Sequence, residues 1–162
     1  MNSFTETSGK IFDASLLYRQ VEIWHAQGLK LVVTNGCFDL LHAGHIATLE
    51  AARAKGNLLI VGVNSDESVQ RLKGPDRPLN NETDRARVIA ALACVSAVTI
   101  FNEDTAENLL DLVRPQVYVK GGDYNPETLP EYPIIQRYGG EMVFIPLLDG
   151  RSTTNLIHAC KK

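Results

Sequence analysis

The sequence predicts an α/β protein built on a doubly wound parallel sheet. Two observations carry this. Short apolar runs of strand length alternate along the chain with stretches of helical period. Glycines and polar residues gather just after the apolar runs, which is where such sheets bind ligands. The length, 162 residues, suits one domain with a sizeable core.

The elements follow in order. Residues 1–12 read as a loose tail, and residues 13–162 as a single domain. Asp13 is placed to cap a first helix, with Leu17, Val21 and Trp24 at helical spacing up to Gly28. "LKLVVTN" reads as a buried strand. "HIATLEAARAKG" reads as a helix with Ile46, Leu49 and Ala52 on one face and Gly56 as its stop. "NLLIVGVN" is a second strand, and "RLKGPDRPLNN" a loop rich in Pro, Gly and Asn. From Glu82 a helix turns Val88, Ile89 and Leu92 inward. "AVTIF" is a third strand. "DTAENLLDLV" is a helix capped by Asp104 or Thr105 and halted by Pro115. "QVYVKGG" and "EMVFIP" are the last two strands, with a short helix or turn at "PEYPIIQRYGG" between them. "STTNLIHAC" closes the chain as a helix.

Composition narrows the function. Apolar residues make up 44% and charged residues 22%, an ordinary globular balance. The formal net charge of −3 disfavours an electrostatic nucleic-acid binder. No apolar run is long enough for a transmembrane helix, and the N-terminus does not read as a signal peptide. Cys37, Cys94 and Cys160 are odd in number and far apart, against a disulfide framework or a cysteine zinc site. A cytoplasmic protein is expected, with neither nucleic acid nor membrane as partner.

Four segments at strand ends carry chemistry. In "HAGH", His42 and His45 are three apart and share a helix face, with Gly44 allowing close approach between them. Such a pair can be two surface histidines, half of a zinc site, or an anion site at a helix N-terminus. No further ligand stands at a convincing spacing for zinc. The position after the first strand favours the anion. In "GRSTT", Ser152, Thr153 and Thr154 follow Gly150 and Arg151, more hydroxyls than a helix cap needs. Arg71, Lys73 and Arg77 form a basic loop, which is either solvated or a phosphate partner. Arg85 sits in the first turn of its helix, where a cation opposes the macrodipole unless an anion offsets it. In "VKGGDY", Lys120 ends a strand, Gly121 and Gly122 allow unusual dihedrals, and Asp123 can accept hydroxyl protons. Neither a Walker loop nor a G-x-G-x-x-G fingerprint is present.

Together, "GCFDLLHAGH" and "GRSTT" resemble the signatures of the HxGH nucleotidyltransferase superfamily, whose members include cytidylyltransferases. "TNGCFDLLHAGH", "NSDESVQRLKGPDRPLN", "VKGGDY" and "DGRSTTN" sharpen this to a resemblance to the D-glycero-β-D-manno-heptose 1-phosphate adenylyltransferases, running from about Leu16 to the C-terminus. The resemblance implies a Rossmann-like sheet of five strands in the order 3-2-1-4-5. It implies that ATP and heptose 1-phosphate give ADP-heptose and pyrophosphate, for lipopolysaccharide core synthesis, with Mg2+ bridging the phosphates and few protein ligands to the metal. It further implies a separate heptose kinase in the pathway. A homodimer is a common state for such folds.

By the same resemblance, His42, His45, Lys73 and Arg85 are the catalytic residues. Gly36, Cys37, Phe38, Gly44, Asp123, Ser152, Thr153 and Thr154 line the nucleotide, and Asn35 and Lys120 hold the sugar phosphate. Asp39 reads as structural, bracing the turn. The rival readings are a cytidylyltransferase acting on a polyol or amino-alcohol phosphate such as glycerol 3-phosphate, a non-catalytic nucleotide sensor, and a zinc-binding protein.

Overall fold

The computed structural model describes residues 7–148 together with 150, 153, 156 and 157. Five strands form one all-parallel sheet: β1 (Leu31–Gly36), β2 (Leu58–Asn64), β3 (Ala97–Phe101), β4 (Val117–Gly121) and β5 (Glu141–Ile145). Their order is β3-β2-β1-β4-β5, the Rossmann-like arrangement expected.

Side-chain parity along each strand divides the core between the two faces. On one face Leu31, Val33, Ile60 and Tyr118 pack against α1 (Ala14–Ala26), α5 (Glu107–Val113) and α6 (Tyr132–Arg137). On the other, Val32, Leu59, Val61, Val63 and Val119 meet α2 (Ala43–Arg53) and α4 (Glu82–Ala90). The helices change faces around β1. The chain leaves β1 towards β2 and β3, then crosses back to β4 and β5. That reversal opens a crevice at the carboxyl ends of β1 and β4.

Several local expectations change. Asp13 does cap α1, accepting from Leu16 N at 2.8 Å. Residues 7–12, expected to be loose, are docked. Lys10 Nζ donates to the carbonyls of Leu92 (3.2 Å) and Val95 (2.8 Å), and Ile11 bridges to Val98 beside the edge strand. Residues 71–73 belong to a helix, α3 (Asp66–Lys73), capped by Ser65. It buries little beyond Ser68 and Val69, so it left only a weak apolar period to read. In α4 the inward residues are Arg85, Ala86, Ile89 and Ala90, whereas Val88 is 50% exposed. The start of α5 is capped by neither Asp104 nor Thr105. Asp104 accepts from Arg71 Nε, and Thr105 bonds Glu107 Oε2.

Gly56 acts by close approach. A Cβ there would lie 2.6 Å from the Lys30 carbonyl, so only glycine lets the α2–β2 turn pass the start of β1. Thr153, Leu156 and Ile157 are helical, in line with the closing helix. Among the described residues no helix is long and apolar enough to cross a membrane.

Candidate active site

The crevice is walled by the turn between β1 and α2. Phe38 adopts the left-handed region (φ 46°), which swings the chain out of the strand and back into the helix. Two ties hold this turn from outside. Asp39 is nearly fully buried. Its Oδ1 accepts from the N–H groups of Leu79 (2.8 Å) and Asn80 (3.1 Å), and its Oδ2 from Arg77 Nε at 2.5 Å. Asn80 Nδ2 returns a bond to the Asp39 carbonyl at 2.9 Å. The turn is thereby stitched to the loop of residues 77–80, the bracing role expected of Asp39.

The second tie is Arg85, and here the expectation is corrected. Its guanidinium is fully buried beneath the turn. Nη1 donates to the Cys37 carbonyl (2.5 Å), Nε to the Asn80 carbonyl (2.9 Å) and Nη2 to Asp66 Oδ1 (2.8 Å). With three of its N–H groups engaged in this way and its side chain buried away from the cleft lining, Arg85 braces the turn. The planar fork of arginine suits three divergent acceptors. Asp66 also answers the helix-terminus puzzle, because a carboxylate offsets the cation's unfavourable place near the start of α4.

The walls enclose a cleft of about 480 Å³. Of the expected residues it gathers His42, His45 and Lys73, and Gly36, Cys37, Phe38, Gly44 and Thr153. His42 is the N-cap of α2, and its imidazole stacks on that of His45 with centroids 3.8 Å apart and planes 22° apart. Phe38 lies against His45 at 5.3 Å. Burial, and secondarily the nearby His42, lower the pKa of His45 to about 4. The imidazole is thus neutral at ordinary pH, and its buried Nδ1 has no hydrogen-bond partner among the described residues. Such a group suits an incoming anion that brings its own charge.

Lys73, at the last turn of α3, and Arg77 also line the cleft and bring positive charge to it. Burial pushes the Cys37 thiol up, while Lys73, Arg85 and Arg77 pull it the other way, so all three cations act on this turn. Arg71 leaves the basic group: it pairs with Asp104 at 2.8 Å and also bonds the Asn102 carbonyl. Thr153 Oγ1 lies 3.3 Å from the Leu40 carbonyl, which brings the late hydroxyl segment to the cleft. Ser152 and Thr154 lie outside the described residues.

Other expected residues fall elsewhere. Asp123 is exposed and does not line the cleft. Asn35 lines an adjoining cavity of about 180 Å³ that shares Gly36, His45, Thr48 and Gly121 with the cleft. Its Oδ1 accepts from the Tyr118 hydroxyl at 2.6 Å. Lys120 pairs with Glu131 at 2.7 Å. Arg77 was legible only as one cation among three in a loop. Tyr118 and Glu131 gave no signal, being a strand tyrosine and a glutamate in the turn just before α6.

The family model described as cytidylyltransferase-like matches residues 33–143, more than half of the chain. The chain belongs to the cytidylyltransferase-like family. As a member of these nucleotidyltransferases, it is similar to the bifunctional protein HldE of Syntrophotalea carbinolica, 52% identical over 85% of this chain and 28% of that protein. HldE of Trichlorobacter lovleyi is 49% identical over 94% of this chain and 31% of that protein. The chain thus spans under a third of the length of these curated relatives. Among solved structures, the lipopolysaccharide core biosynthesis protein from Thermoplasma volcanium GSS1 superposes with a TM-score of 0.60 at 27% identity, covering 75% of this chain and 98% of that one. The strand-end cleft with its paired histidines is therefore the cleft of a nucleotidyltransferase-family domain.

Proposed function

We propose that this domain transfers an adenylyl group from ATP to D-glycero-β-D-manno-heptose 1-phosphate, giving ADP-heptose and pyrophosphate. The observation that carries the reading is the cleft itself: two stacked imidazoles, Lys73, Arg77 and Thr153 line one cavity. That set suits a polyphosphate. The substrate class rests on the sequence resemblance to heptose 1-phosphate adenylyltransferases, and the match of most of the chain to proteins named HldE supports a nucleotidyltransferase.

The chemistry asks little of the protein in proton transfer. An oxygen of the sugar phosphate, already an anion, attacks the α-phosphorus of ATP. A new P–O bond forms as the bond from the α-phosphorus to its bridging oxygen breaks, and the electron pair leaves with pyrophosphate. No general base is needed, so catalysis comes from positioning and charge stabilisation. His42 and His45 would donate to the phosphate oxygens where charge builds. Lys73 and Arg77 would stabilise the pyrophosphate end, and the backbone at Cys37 and Phe38 would line the nucleotide. Magnesium enters as part of MgATP. Among the described residues no three His, Cys, Asp or Glu side chains converge as a ligand set, and Asp39 is already engaged.

A kinase that phosphorylates the sugar is the expected source of the sugar 1-phosphate, and the relatives' name, bifunctional, is compatible with such a partner activity. The family's cytidylyltransferase-like description supports a second reading, CTP with a polyol phosphate such as glycerol 3-phosphate. Pyrophosphate release with ATP, CTP, GTP and UTP against a panel of sugar 1-phosphates and polyol phosphates separates them. ATP with heptose 1-phosphate is expected to be the productive pair, and CTP-dependent turnover would replace the adenylyl reading with the second one.

A further inference from the structure

The phosphate chemistry uses the backbone at Phe38 and leaves its ring without a task. Yet that ring is placed at a cost. The residue is held in the left-handed region at φ 46°, where a side chain with a Cβ is strained. Its ring lies over Gly36: a Cβ there would stand 3.1 Å from Phe38 Cε2 and 3.2 Å from Cζ. It also packs against the apolar core on the α2 face of the sheet. From this seat the ring meets the imidazole of His45, with centroids 5.3 Å apart and planes 59° apart.

His45 lacks the usual device for aiming an imidazole. A working histidine is commonly oriented by a hydrogen bond at the ring nitrogen turned away from the substrate. Here that nitrogen is Nδ1, which is buried and has no hydrogen-bond partner among the described residues. Nε2 is the nitrogen left to meet a phosphate. The χ2 torsion of histidine is intrinsically broad, so a ring with no tie at Nδ1 is aimed by packing or not at all. Two rings touch it, His42 at 3.8 Å between centroids and Phe38. His42 has its own part in holding phosphate. Phe38 has no polar atom to offer a substrate, so its contact with His45 is packing alone.

We propose that Phe38 is a positioning residue for His45: its ring, seated over Gly36 by the left-handed turn, aims the imidazole by packing where other sites use a hydrogen bond. Gly36 belongs to the device, since a side chain there would push the ring off its seat. The strain at Phe38 is then stored for a purpose, as strained backbone at functional sites commonly is. The ring also shields the imidazole from water, in line with the burial that lowers the His45 pKa to about 4. The role given to His45 rests on the phosphate reading of the cleft, whereas the packing contact does not.

The test compares Phe38→Leu with Phe38→Tyr. Leucine removes the ring but meets the same kind of backbone cost at a left-handed φ, and tyrosine keeps the ring at a half-buried position. The first readout is the titration of His45, followed by NMR in the ligand-free domain. Its midpoint is expected to rise from about 4 towards 6.5 in Phe38→Leu and to stay low in Phe38→Tyr. Cys37, Asp39, His42, Lys73 and Arg77, the other ionisable groups lining the cleft, are the same in both variants. The second readout is a double-mutant cycle with His45→Ala, scored by pyrophosphate release from ATP and heptose 1-phosphate. Phe38→Leu is expected to lower kcat roughly tenfold or more with KM for ATP within about twofold, and to lower kcat no further once His45 is replaced. An equal loss of kcat in both backgrounds would make Phe38 part of the nucleotide wall and overturn the proposal. A His45 titration that does not move in Phe38→Leu overturns it too. Should Phe38→Leu fail to fold, Gly36→Ala carries the same titration test, because its Cβ displaces the ring with Phe38 still in place. If the wild-type domain releases no pyrophosphate, the adenylyl reading falls and the titration still decides this assignment.

Discussion

At the scale of single residues, His45 is the most informative. Its pKa of about 4 lies below the ordinary histidine value of 6.5, because burial and His42 disfavour the imidazolium. In the folded state it therefore releases its proton at a lower pH than in the unfolded chain. Between those two values the unfolded chain binds more protons, so stability rises with pH through that window and falls as pH drops from 6.5 towards 4. We expect Tm to decline over this range, and the slope to be shallower in His45→Ala. A polyphosphate beside the ring reverses the shift, since a nearby anion favours the charged form. ATP binding near pH 5.5 should then take up protons, visible as a dependence of calorimetric heat on the buffer's ionisation enthalpy. His45→Ala should abolish most of this uptake. It should also lower kcat by more than tenfold, since a contact to charge developing in the transition state is worth roughly 2–4 kcal/mol. A rise in KM for ATP with kcat intact would instead mark His45 as a ground-state contact. Lys73→Ala is expected to follow His45→Ala in kcat, and normal turnover would make Lys73 a solvated lysine.

At the scale of elements, the β1–α2 turn is held by a loop and a helix far away in sequence. Asp39 joins it to Leu79, Asn80 and Arg77, and Arg85 joins it to α4 and α3. Asp39→Ala would leave two backbone donors and a guanidinium without their acceptor. Breaking a buried pair in this way costs about 3 kcal/mol, to be read as a lower urea midpoint. The same variant should raise KM for ATP, because the turn carries the nucleotide wall. Arg85→Lys separates brace from catalyst. As a brace it should lower Tm clearly, since one ammonium cannot reach three divergent acceptors. A loss of kcat at unchanged Tm would restore a direct role in charge stabilisation. The sequence did locate these parts. "GCFDLLHAGH" after the first strand, the basic loop and Arg85 all stand out in the sequence. It could not divide them, because a cation's work depends on which acceptor lies across the gap. Lys73 reaches the cleft, Arg71 turns to Asp104, and Arg85 is consumed beneath the turn.

At the scale of the whole molecule, the crevice exists because the chain reverses its direction of travel across the sheet at β1. Any ligand seated there touches β1, α2, α3 and the late helical segment at once, so binding should stabilise the domain as a unit. A ligand at a hundred times its Kd adds about 2.7 kcal/mol, and MgATP should raise Tm accordingly. A nucleotide that leaves Tm unchanged at millimolar concentration is not the one this cleft is built for.

What the sequence determined by itself was the alternation of strands and helices, and with it a parallel sheet whose chemistry stands at the strand ends. Apolar period and turn chemistry are local, and each five- to thirteen-residue stretch carries its own signal. The residue types for anion binding were legible for the same reason, since the histidine pair, the glycines and the late hydroxyls lie in short contiguous runs. The tertiary structure alone decided partnership. It buried Arg85 against Cys37 and Asp66, matched Lys120 with Glu131, and brought Tyr118 to Asn35 across 83 residues of chain. Electrostatic roles are set by distance and desolvation, and neither is written in the order of the residues.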